Sequence, residues 1–579
     1  MSRGIEITRK KMSEARIWLG AVAVIVVVEA LLNWASFLND ADYSFSTKVS
    51  CARILLLVGG FALYRVFRKD SRIWSVPLDL SRRPQRIAVC ILIVLMCAFL
   101  LGFSHISGQA EWLKRGAVYE EGIQAVQDGN QYDYLADAFL AGRVELDLPQ
   151  SEILLSMENP YDTPLRQQLN AEAHEPIYWD YAFYQGKYYC YFGALPCLLT
   201  FVPYKAITGS DLGTDWAVVF FACAMIISGI ALLYQLARTY YNELSFGAFL
   251  IGATFLFCSG GVLEQVFLPR IYPIPILSAL FFSFAGLAVL LRVKRQFLEG
   301  VPVSKPLLAF GALLVACTLG CRPQYVLAAA LIVAIFWPEI RARCFFSRVG
   351  LRNTLAVIVP FIVAAVPVCL YNQARFGSPF DFGASYNLTG ADMTAYVFDP
   401  IAIAVRSLEY LFLPPVMQAS YPFLHAIDDV AGLPAVMWTN EPVFGGFFAF
   451  APVALAVFAL FGVRMRRTLK ARGVLGVCVT SVILAVATLV IASYVSGVTM
   501  RYFADFAWLI VVPATMVIWS VMVGERTQGN VRVSGRLAAL VLLGFPLYCW
   551  TFLATSRFGA IVDASPSLYY GAEALLRFL

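Results

Sequence analysis

Apolar runs of about twenty residues recur along this chain of 579 residues. As a helix, each such run is long enough to cross the roughly 30 Å hydrocarbon core of a bilayer. Hydrophobic residues make up 60% of the sequence and charged residues only 14%. A soluble protein of this size cannot bury so much apolar surface, so we predict an all-α polytopic membrane protein.

The hydropathy pattern predicts about thirteen transmembrane helices. We place them at 17–37, 51–67, 87–105, 214–237, 244–265, 270–291, 306–320, 322–338, 354–372, 445–463, 474–495, 501–522 and 535–555. Residues 1–86 are interpreted as a cytoplasmic N-terminus with two added helices, and residues 87–579 as the main transmembrane domain.

Two polar loops interrupt the apolar runs, at 107–213 and 373–444. In the first loop, acids such as Asp128, Glu175 and Asp180 are interleaved with aromatics such as Tyr132 and Tyr178. Carboxylates can take a hydroxyl proton and aromatic faces can stack on a sugar ring, so this composition suits a sugar-handling site. A solvated loop that merely caps a helical bundle would have a similar composition.

The segment Tyr188–Thr208 decides the topology. If it lies along the outer surface and does not span, the basic loops 292–305, 341–352, 464–472 and 526–536 all fall in the cytoplasm, as the positive-inside rule requires. Pro196 and Pro203 also interrupt this segment. We therefore predict a multi-pass plasma-membrane protein with its N-terminus in the cytoplasm, both polar loops outside and its C-terminus outside.

This topology gathers basic residues at the outer face, where positive charge is otherwise scarce. They are Lys187, Arg270, Arg322, Arg375 and Arg501, the last of which opens the phrase RYFAD that ends at Asp505. Ionisable groups at the rim of a membrane bundle are costly unless they are paired or face a water-filled cavity. Guanidinium groups grip phosphate through two oxygens at once, so the set suggests a phosphate site; each residue alone could equally be an interfacial anchor.

Composition excludes other classes. The net charge of +6 comes from basic residues at helix ends and does not indicate a nucleic-acid partner. Most of the thirteen cysteines lie inside apolar runs, and the three histidines are scattered, so neither a disulfide framework nor a zinc site is predicted.

The order of these features resembles the GT-C class of membrane glycosyltransferases, which includes protein O-mannosyltransferases and aminoarabinose transferases. Asp128-Gly129-Asn130-Gln131-Tyr132, followed by Leu135-Ala136, is similar to that class's Asp-x-x-x-Tyr-x-x-x-Ala pattern. Where the class commonly has Asp-Glu, this chain has Asp128-Gly129. The phrases WDYAFYQGKYYCYFGALP, YNQARFGSPFDFG and MRYFADF resemble an uncharacterised bacterial branch of the class.

The resemblance implies inverting transfer of a sugar from a polyprenyl-phosphate donor to a glycan, lipid or protein acceptor at the outer membrane face. Asp128 would be the general base, and Arg501, with Arg270 or Arg322, would neutralise the departing phosphate. Asp180 or Glu175 would orient the acceptor or hold a divalent cation, the one cofactor that the resemblance suggests. The substrate-binding set is completed by Lys187, Tyr132 and Arg375.

Alternatives remain at this stage. Asp128 could serve only as the N-cap of a helix over 131–140. A transporter or flippase of a lipid-linked substrate would also need many helices and buried charges, but such proteins usually contain repeats and bind near the bilayer midplane. An inactive GT-C relative acting as an assembly partner would have the same sequence features.

Overall fold

The computed structural model describes residues 71–106, 118–120, 124–127, 129–267, 269–395, 397–427, 443–527, 532–553, 561–564 and 566–576, with a few isolated residues before 71. The helices predicted at 17–37 and 51–67 lie outside these ranges, and so does Asp128. The division of the chain at residue 86 therefore stays a prediction.

The described chain is mainly helical. Its α-helices are α1 Arg83–Ile106, α2 Gln131–Leu140, α3 Glu152–Ser156, α4 Thr163–Ala173, α5 Leu195–Leu199, α6 Phe201–Thr208, α7 Thr214–Tyr240, α8 Phe246–Ser259, α9 Val262–Phe267, α10 Pro273–Leu298, α11 Lys305–Cys317, α12 Ala329–Ile335, α13 Trp337–Arg341, α14 Leu351–Phe376, α15 Pro400–Phe412, α16 Phe447–Phe450, α17 Val463–Ala471, α18 Leu475–Val495, α19 Phe503–Thr527, α20 Arg532–Leu553, α21 Ile561–Ala564 and α22 Pro566–Leu576. Short 3-10 helices occupy Arg72–Trp74, Thr318–Gly320, Pro323–Ala328, Ala384–Tyr386, Pro452–Phe461 and Met500–Tyr502.

Strands are short and paired two by two. They are β1 Val118–Glu120, β2 Ala125–Gln127, β3 Ala182–Tyr184, β4 Lys187–Tyr189, β5 Val416–Met417 and β6 Leu424–His425. The antiparallel pair β3–β4 sets Phe183 opposite Tyr188, and its two-residue turn, Gln185-Gly186, has positive φ at both positions, as hairpin turns of this length require.

Seven described helices are long and apolar enough to cross a membrane. They run over Arg83–Ser104, Thr214–Tyr240, Pro273–Leu298, Leu351–Phe376, Leu475–Val495, Met500–Arg526 and Ser534–Phe552. Shorter apolar helices accompany them. The polytopic helical class is confirmed, whereas the count of about thirteen single spans is not confirmed.

The predicted span at 244–265 is two helices, α8 and α9, which are separated at Gly260-Gly261. Gly261 has φ +84, and a Cβ there would lie 2.6 Å from Cα of Ala504. The backbone therefore turns where it approaches α19 closely, which only glycine allows without strain.

Two other predicted spans are also broken. The segment 322–338 begins as the 3-10 helix Pro323–Ala328 and becomes α-helical only in α12. The segment 445–463 consists of α16 and the 3-10 helix Pro452–Phe461. Each of the two 3-10 helices begins with a proline, which has no backbone N–H to donate to the preceding turn.

The segment Tyr188–Thr208 does not form one long helix. It begins with the last two residues of β4 and continues as α5 and α6. At 1.5 Å per residue, each of these two helices is too short to cross a bilayer. The α6 helix packs on α2 of the polar loop: Phe201 stacks on Tyr132 at 5.3 Å, and Lys205 forms salt bridges with Asp137 and Asp211. The structure thus agrees with the interpretation that this segment stays on the side of the polar loop.

The helices run between the two ends of the bundle, and one of these ends is rich in basic residues. There Arg472 forms a salt bridge with Glu243 at 2.7 Å, and Arg526 donates to the backbone carbonyl of Glu243 at 2.8 Å. At this end too, Lys294 forms a buried salt bridge with Glu339, with its Nζ 2.5 and 2.7 Å from the carboxylate oxygens. We call this the basic end; the loops 292–305, 341–352 and 464–472 belong to it.

The opposite end is covered by the elements of residues 124–213 and 377–395, and we call it the loop end. Here α7 begins at Thr214, whose hydroxyl donates to the carbonyl of Gly129 at 3.0 Å. The end of α14 packs there as well, because the Phe376 ring lies 5.5 Å from that of Tyr189. A β-bridge between Ala182 and Asn387 joins the two polar segments.

Candidate active site

Asp180 is the acidic centre of the loop end. Its backbone is in the left-handed region with φ 61, a conformation that Asp tolerates better than most residues. Its N–H donates to the carbonyl of Leu388 at 2.9 Å, and the Gln131 side chain donates to its carbonyl at 2.8 Å. The side chain is fixed by donors on both oxygens, the hydroxyl of Tyr272 and the amide of Asn387.

The environment of Asp180 perturbs its acidity. The residue is buried, and burial raises the pKa of its carboxyl group above the usual Asp value of 3.8. The hydrogen bond from Tyr272 and the positive charge of Arg501 oppose that rise, since both stabilise the ionised form. A buried carboxyl with a raised pKa beside a guanidinium is typical of functional sites, although structural ion pairs also show it.

Arg501 reaches this site from the other half of the chain. Its guanidinium carbon lies 4.1 Å from the centre of the Tyr272 ring and 5.0 Å from that of Tyr502. Its carbonyl accepts a hydrogen bond from Gln265 at 2.7 Å, which fixes the 3-10 turn Met500–Tyr502 against α9. The two aromatic rings hold the guanidinium in place through cation–π contacts.

Arg322 lies beside Arg501 and contacts the same Tyr502 ring. Its guanidinium carbon is 5.2 Å from the Tyr502 ring centre, and its Nη2 is 2.8 Å from an oxygen of Asp505. The second oxygen of Asp505 accepts from the hydroxyl of Tyr325 at 2.8 Å. Asp505 is only 3% exposed, so this guanidinium is positioned by a buried, fully hydrogen-bonded carboxylate.

Tyr191 connects the acidic and basic parts. Burial raises the pKa of its hydroxyl well above 10, and the charges of Asp180, Arg501 and Arg322 all act on it. Its ring lies 4.2 Å from that of Phe192, which in turn packs edge-on against Tyr272 at 5.7 Å. The resulting group, which we call the loop-end cluster, comprises Asp180, Tyr191, Tyr272, Arg322, Arg501, Tyr502 and Asp505.

The structure brings together three of the predicted site residues, Asp180, Arg322 and Arg501. Arg270 lies two residues before Tyr272 at the same end of the bundle and is partly buried. Asp128, the predicted base, lies outside the described residues. The N-cap position of α2 is Asn130, and both the catalytic and the capping interpretations of Asp128 stay predictions.

Four predicted site residues are not members of the loop-end cluster. Glu175 accepts hydrogen bonds from the Ser151 hydroxyl at 2.6 Å and the Ile153 N–H at 3.0 Å, at the start of α3. Lys187 pairs with Glu145 at 3.2 Å on the surface.

The other two, Tyr132 and Arg375, belong to the framework behind the cluster. Tyr132 is 1% exposed, and its hydroxyl donates to the carbonyl of Gly193 at 3.2 Å. Arg375 is buried, donates to the carbonyl of Cys190 and stacks on Tyr371 at 4.0 Å. Both therefore fix the backbone that presents Tyr191.

The divalent cation that the resemblance suggests stays a prediction. Among them, no group of three or more His, Cys, Asp or Glu side chains could hold a metal ion. The oxygens of Asp180 accept from Tyr272 and Asn387, and those of Asp505 face Arg322 and Tyr325. We therefore derive no chemical step through a metal.

Sequence reasoning missed the tyrosines and the amide that organise the charged groups. Tyr191, Tyr272, Tyr325 and Asn387 are four polar residues among many, and 28 tyrosines occur in the chain. Tyr272 alone carried a usable signal, because it lies between Arg270 and Pro273 at the start of an apolar run.

Comparison with known proteins adds a distant structural likeness. No protein-family model matches this chain, and no curated protein matches it significantly. A crystal structure of ArnT from Cupriavidus metallidurans bound to undecaprenyl phosphate is similar over 84% of this chain and 70% of its own, with 12% identity and a TM-score of 0.41. A likeness of this degree assigns no role to any residue of this chain.

Proposed function

We propose that this protein transfers a sugar from a polyprenyl-phosphate donor to a cell-envelope acceptor, with inversion, at the outer face of the plasma membrane. One observation carries the proposal: the buried carboxylate of Asp180 and the guanidinium of Arg501 share contacts with Tyr272 at the loop end. The GT-C resemblance of the sequence supports the same chemistry. The positive-inside rule supports an outward orientation of the loop end.

The arginines of the cluster would stabilise the leaving group. As the bond between the anomeric carbon and the phosphate oxygen breaks, its electron pair stays on the lipid phosphate. Arg501 lies on two aromatic faces and Arg322 is held by Asp505, so neither guanidinium needs to reorganise when that charge develops. In a buried site such preorganised charges act more strongly than in water.

The carboxylates would act on the acceptor. Its hydroxyl oxygen bonds to the anomeric carbon from the face opposite the phosphate, and the hydroxyl proton passes to a general base. The resemblance assigns that base to Asp128. Asp128 precedes Gln131 by three residues, and the Gln131 side chain bonds to the backbone of Asp180. Asp180 would orient the acceptor.

The position of the cluster favours transfer over transport. Its members lie in loops, in 3-10 turns or in the first turn of a helix, at one end of the bundle. Transporters of known design bind their substrates near the bilayer midplane, where access can alternate between the two sides. A site confined to one end suits chemistry on a substrate that is presented from that side.

The test is a transfer assay with purified protein in lipid nanodiscs and a panel of polyprenyl-phosphate sugars. We expect turnover with at least one donor, release of the free polyprenyl phosphate, and a loss of roughly 10²-fold or more in Arg501→Ala. Arg143→Gln is the matched control, because Arg143 pairs with Asp147 on the surface of the same loop region. Absence of turnover with every donor and acceptor, in protein that is folded, would support the inactive-relative alternative instead.

A further inference from the structure

A groove at the basic end forms a second candidate site, far from the loop-end cluster. It has a volume of about 450 Å³ and lies where α17 meets α18. Its lining residues are Val463, Arg466, Arg467, Lys470, Gly473, Leu475 and Gly476. Neither the proposed transfer reaction nor the packing of the bundle uses this groove.

Three cations on α17 line the groove and are exposed to solvent. Within the part of the chain that the structure describes, Arg466, Arg467 and Lys470 form no salt bridge with a carboxylate. Their neighbour Arg472 differs, because it pairs with Glu243 and stacks on Tyr241 at 4.6 Å. Arg472 thus anchors the loop to the bundle, whereas the charges of the other three cations are not neutralised by a carboxylate of the described residues.

Glycines keep the groove open between these cations and α18. Gly473 has φ +76, which disfavours any other residue at this position. At Gly476 an added Cβ would have no heavy atom within 4 Å. The space beside the cations is therefore free of side chains, wide enough for a polar group that carries several oxygens.

An apolar stripe continues from the groove along α18. Leu475 lines the groove, and the exposed residues Val479, Ile483, Val486 and Val490 follow at spacings of three or four on the same helix face. At 1.5 Å per residue this stripe extends about 22 Å, more than one leaflet of the hydrocarbon core. Phe461 and Val463, beside the cations, are 81% and 64% exposed.

We propose that this groove binds the phosphate headgroup of an anionic phospholipid from the leaflet at the basic end. The phosphate oxygens accept hydrogen bonds from Arg466, Arg467 and Lys470, and the acyl chains follow the apolar stripe of α18. A free phosphate would use the cations alone. Because cations and stripe are continuous, the site fits an amphipathic ligand.

The experiment measures retained lipid on the purified full-length protein by native mass spectrometry, with phosphatidylglycerol or phosphatidylcholine added in detergent. We expect the wild type to retain phosphatidylglycerol preferentially. The triple variant Arg466→Gln, Arg467→Gln, Lys470→Gln should retain it on the order of tenfold less, because surface cations contribute strongly to anionic-lipid binding. Unchanged retention in this variant would overturn the proposal.

Two further variants distinguish lipid binding in this groove from a general effect of positive charge at the basic end. Gly476→Phe fills the groove but keeps every charge, and we expect the same loss of phosphatidylglycerol. The triple variant Arg341→Gln, Arg343→Gln, Arg348→Gln removes equal charge from an exposed loop of the same end and should retain the lipid normally.

Three outcomes would contradict the assignment. They are normal retention in Gly476→Phe, an equal loss in the triple variant of the 341–350 loop, and displacement of the lipid by millimolar inorganic phosphate. The last result would indicate a site for free phosphate, since an acyl-anchored lipid also gains from the apolar stripe.

Discussion

Removing the carboxylate of Asp505 is expected to destabilise the protein strongly. Asp505 is 3% exposed, and its oxygens accept from Arg322 and Tyr325 at 2.8 Å each. Breaking a buried ion pair from one side costs about 3–5 kcal/mol, because the remaining charge stays buried without compensation. The Arg322 side chain is 17% exposed, so water offsets part of this cost, and we expect about 3 kcal/mol for Asp505→Ala.

The assay is thermal unfolding in detergent, followed by the intrinsic tryptophan signal. Asp505→Ala should lower the Tm clearly. The double variant Asp505→Leu, Arg322→Met should recover most of that loss, since apolar residues of similar size can replace a buried pair at little cost. It should still transfer sugar poorly, because the proposed leaving-group site has lost a guanidinium. A Tm for Asp505→Ala equal to that of the wild type would show that the Asp505–Arg322 pair does not stabilise the fold.

The remaining predictions concern acidity, the base and topology. Tyr272→Phe removes a hydrogen bond that lowers the pKa of Asp180, so the acidic limb of the pH–rate profile should move to higher pH. Asp128→Asn should reduce turnover by on the order of 10²–10⁴ with little change in Tm, whereas Asp137→Asn, in a surface salt-bridge network, should keep most turnover. A cysteine introduced at Ser210, an exposed position after α6, should react with an impermeant thiol reagent from outside intact cells.

Each of these predictions has an outcome that contradicts it. If the acidic limb of the pH–rate profile is unchanged in Tyr272→Phe, the ionisation of Asp180 does not control the rate. Wild-type turnover in Asp128→Asn would transfer the role of base to Asp180. Labelling of the cysteine at position 210 only after the membrane is permeabilised would reverse the orientation of the loop end.

The charged members of the site could be predicted from the sequence because charge is scarce in this chain. Arg322, Arg501 and Asp505 stand at the edges of apolar runs, where an ionisable group is costly and therefore informative. The positive-inside rule assigned them to the same face as Asp180, and the contacts of the loop-end cluster agree. The positions of charged residues relative to the apolar runs were therefore sufficient to predict these members of the site.

Local pattern could not identify the residues whose roles depend on tertiary packing. Arg375 carries the same charge as Arg501, yet it bonds to the carbonyl of Cys190, and only the fold distinguishes the two. Tyr272 and Asn387 meet Asp180 from distant parts of the chain.

The helix breaks are a different case. A hydropathy window averages over them, although the pair Gly260-Gly261 was a visible sign of a break within an apolar run. Pro323 and Pro452 were similar signs for the two segments that contain 3-10 helices.

The most direct test of the central claim is a cryo-EM structure of the protein with a polyprenyl phosphate in a nanodisc. We expect density for the phosphate within hydrogen-bond distance of the Arg501 guanidinium, on the order of 2.7–2.9 Å from nitrogen to oxygen, with Asp180 and Tyr272 lining the same cavity. Density for the phosphate near the bilayer midplane, or at the loop end without contact to Arg501 or Arg322, would contradict the central claim.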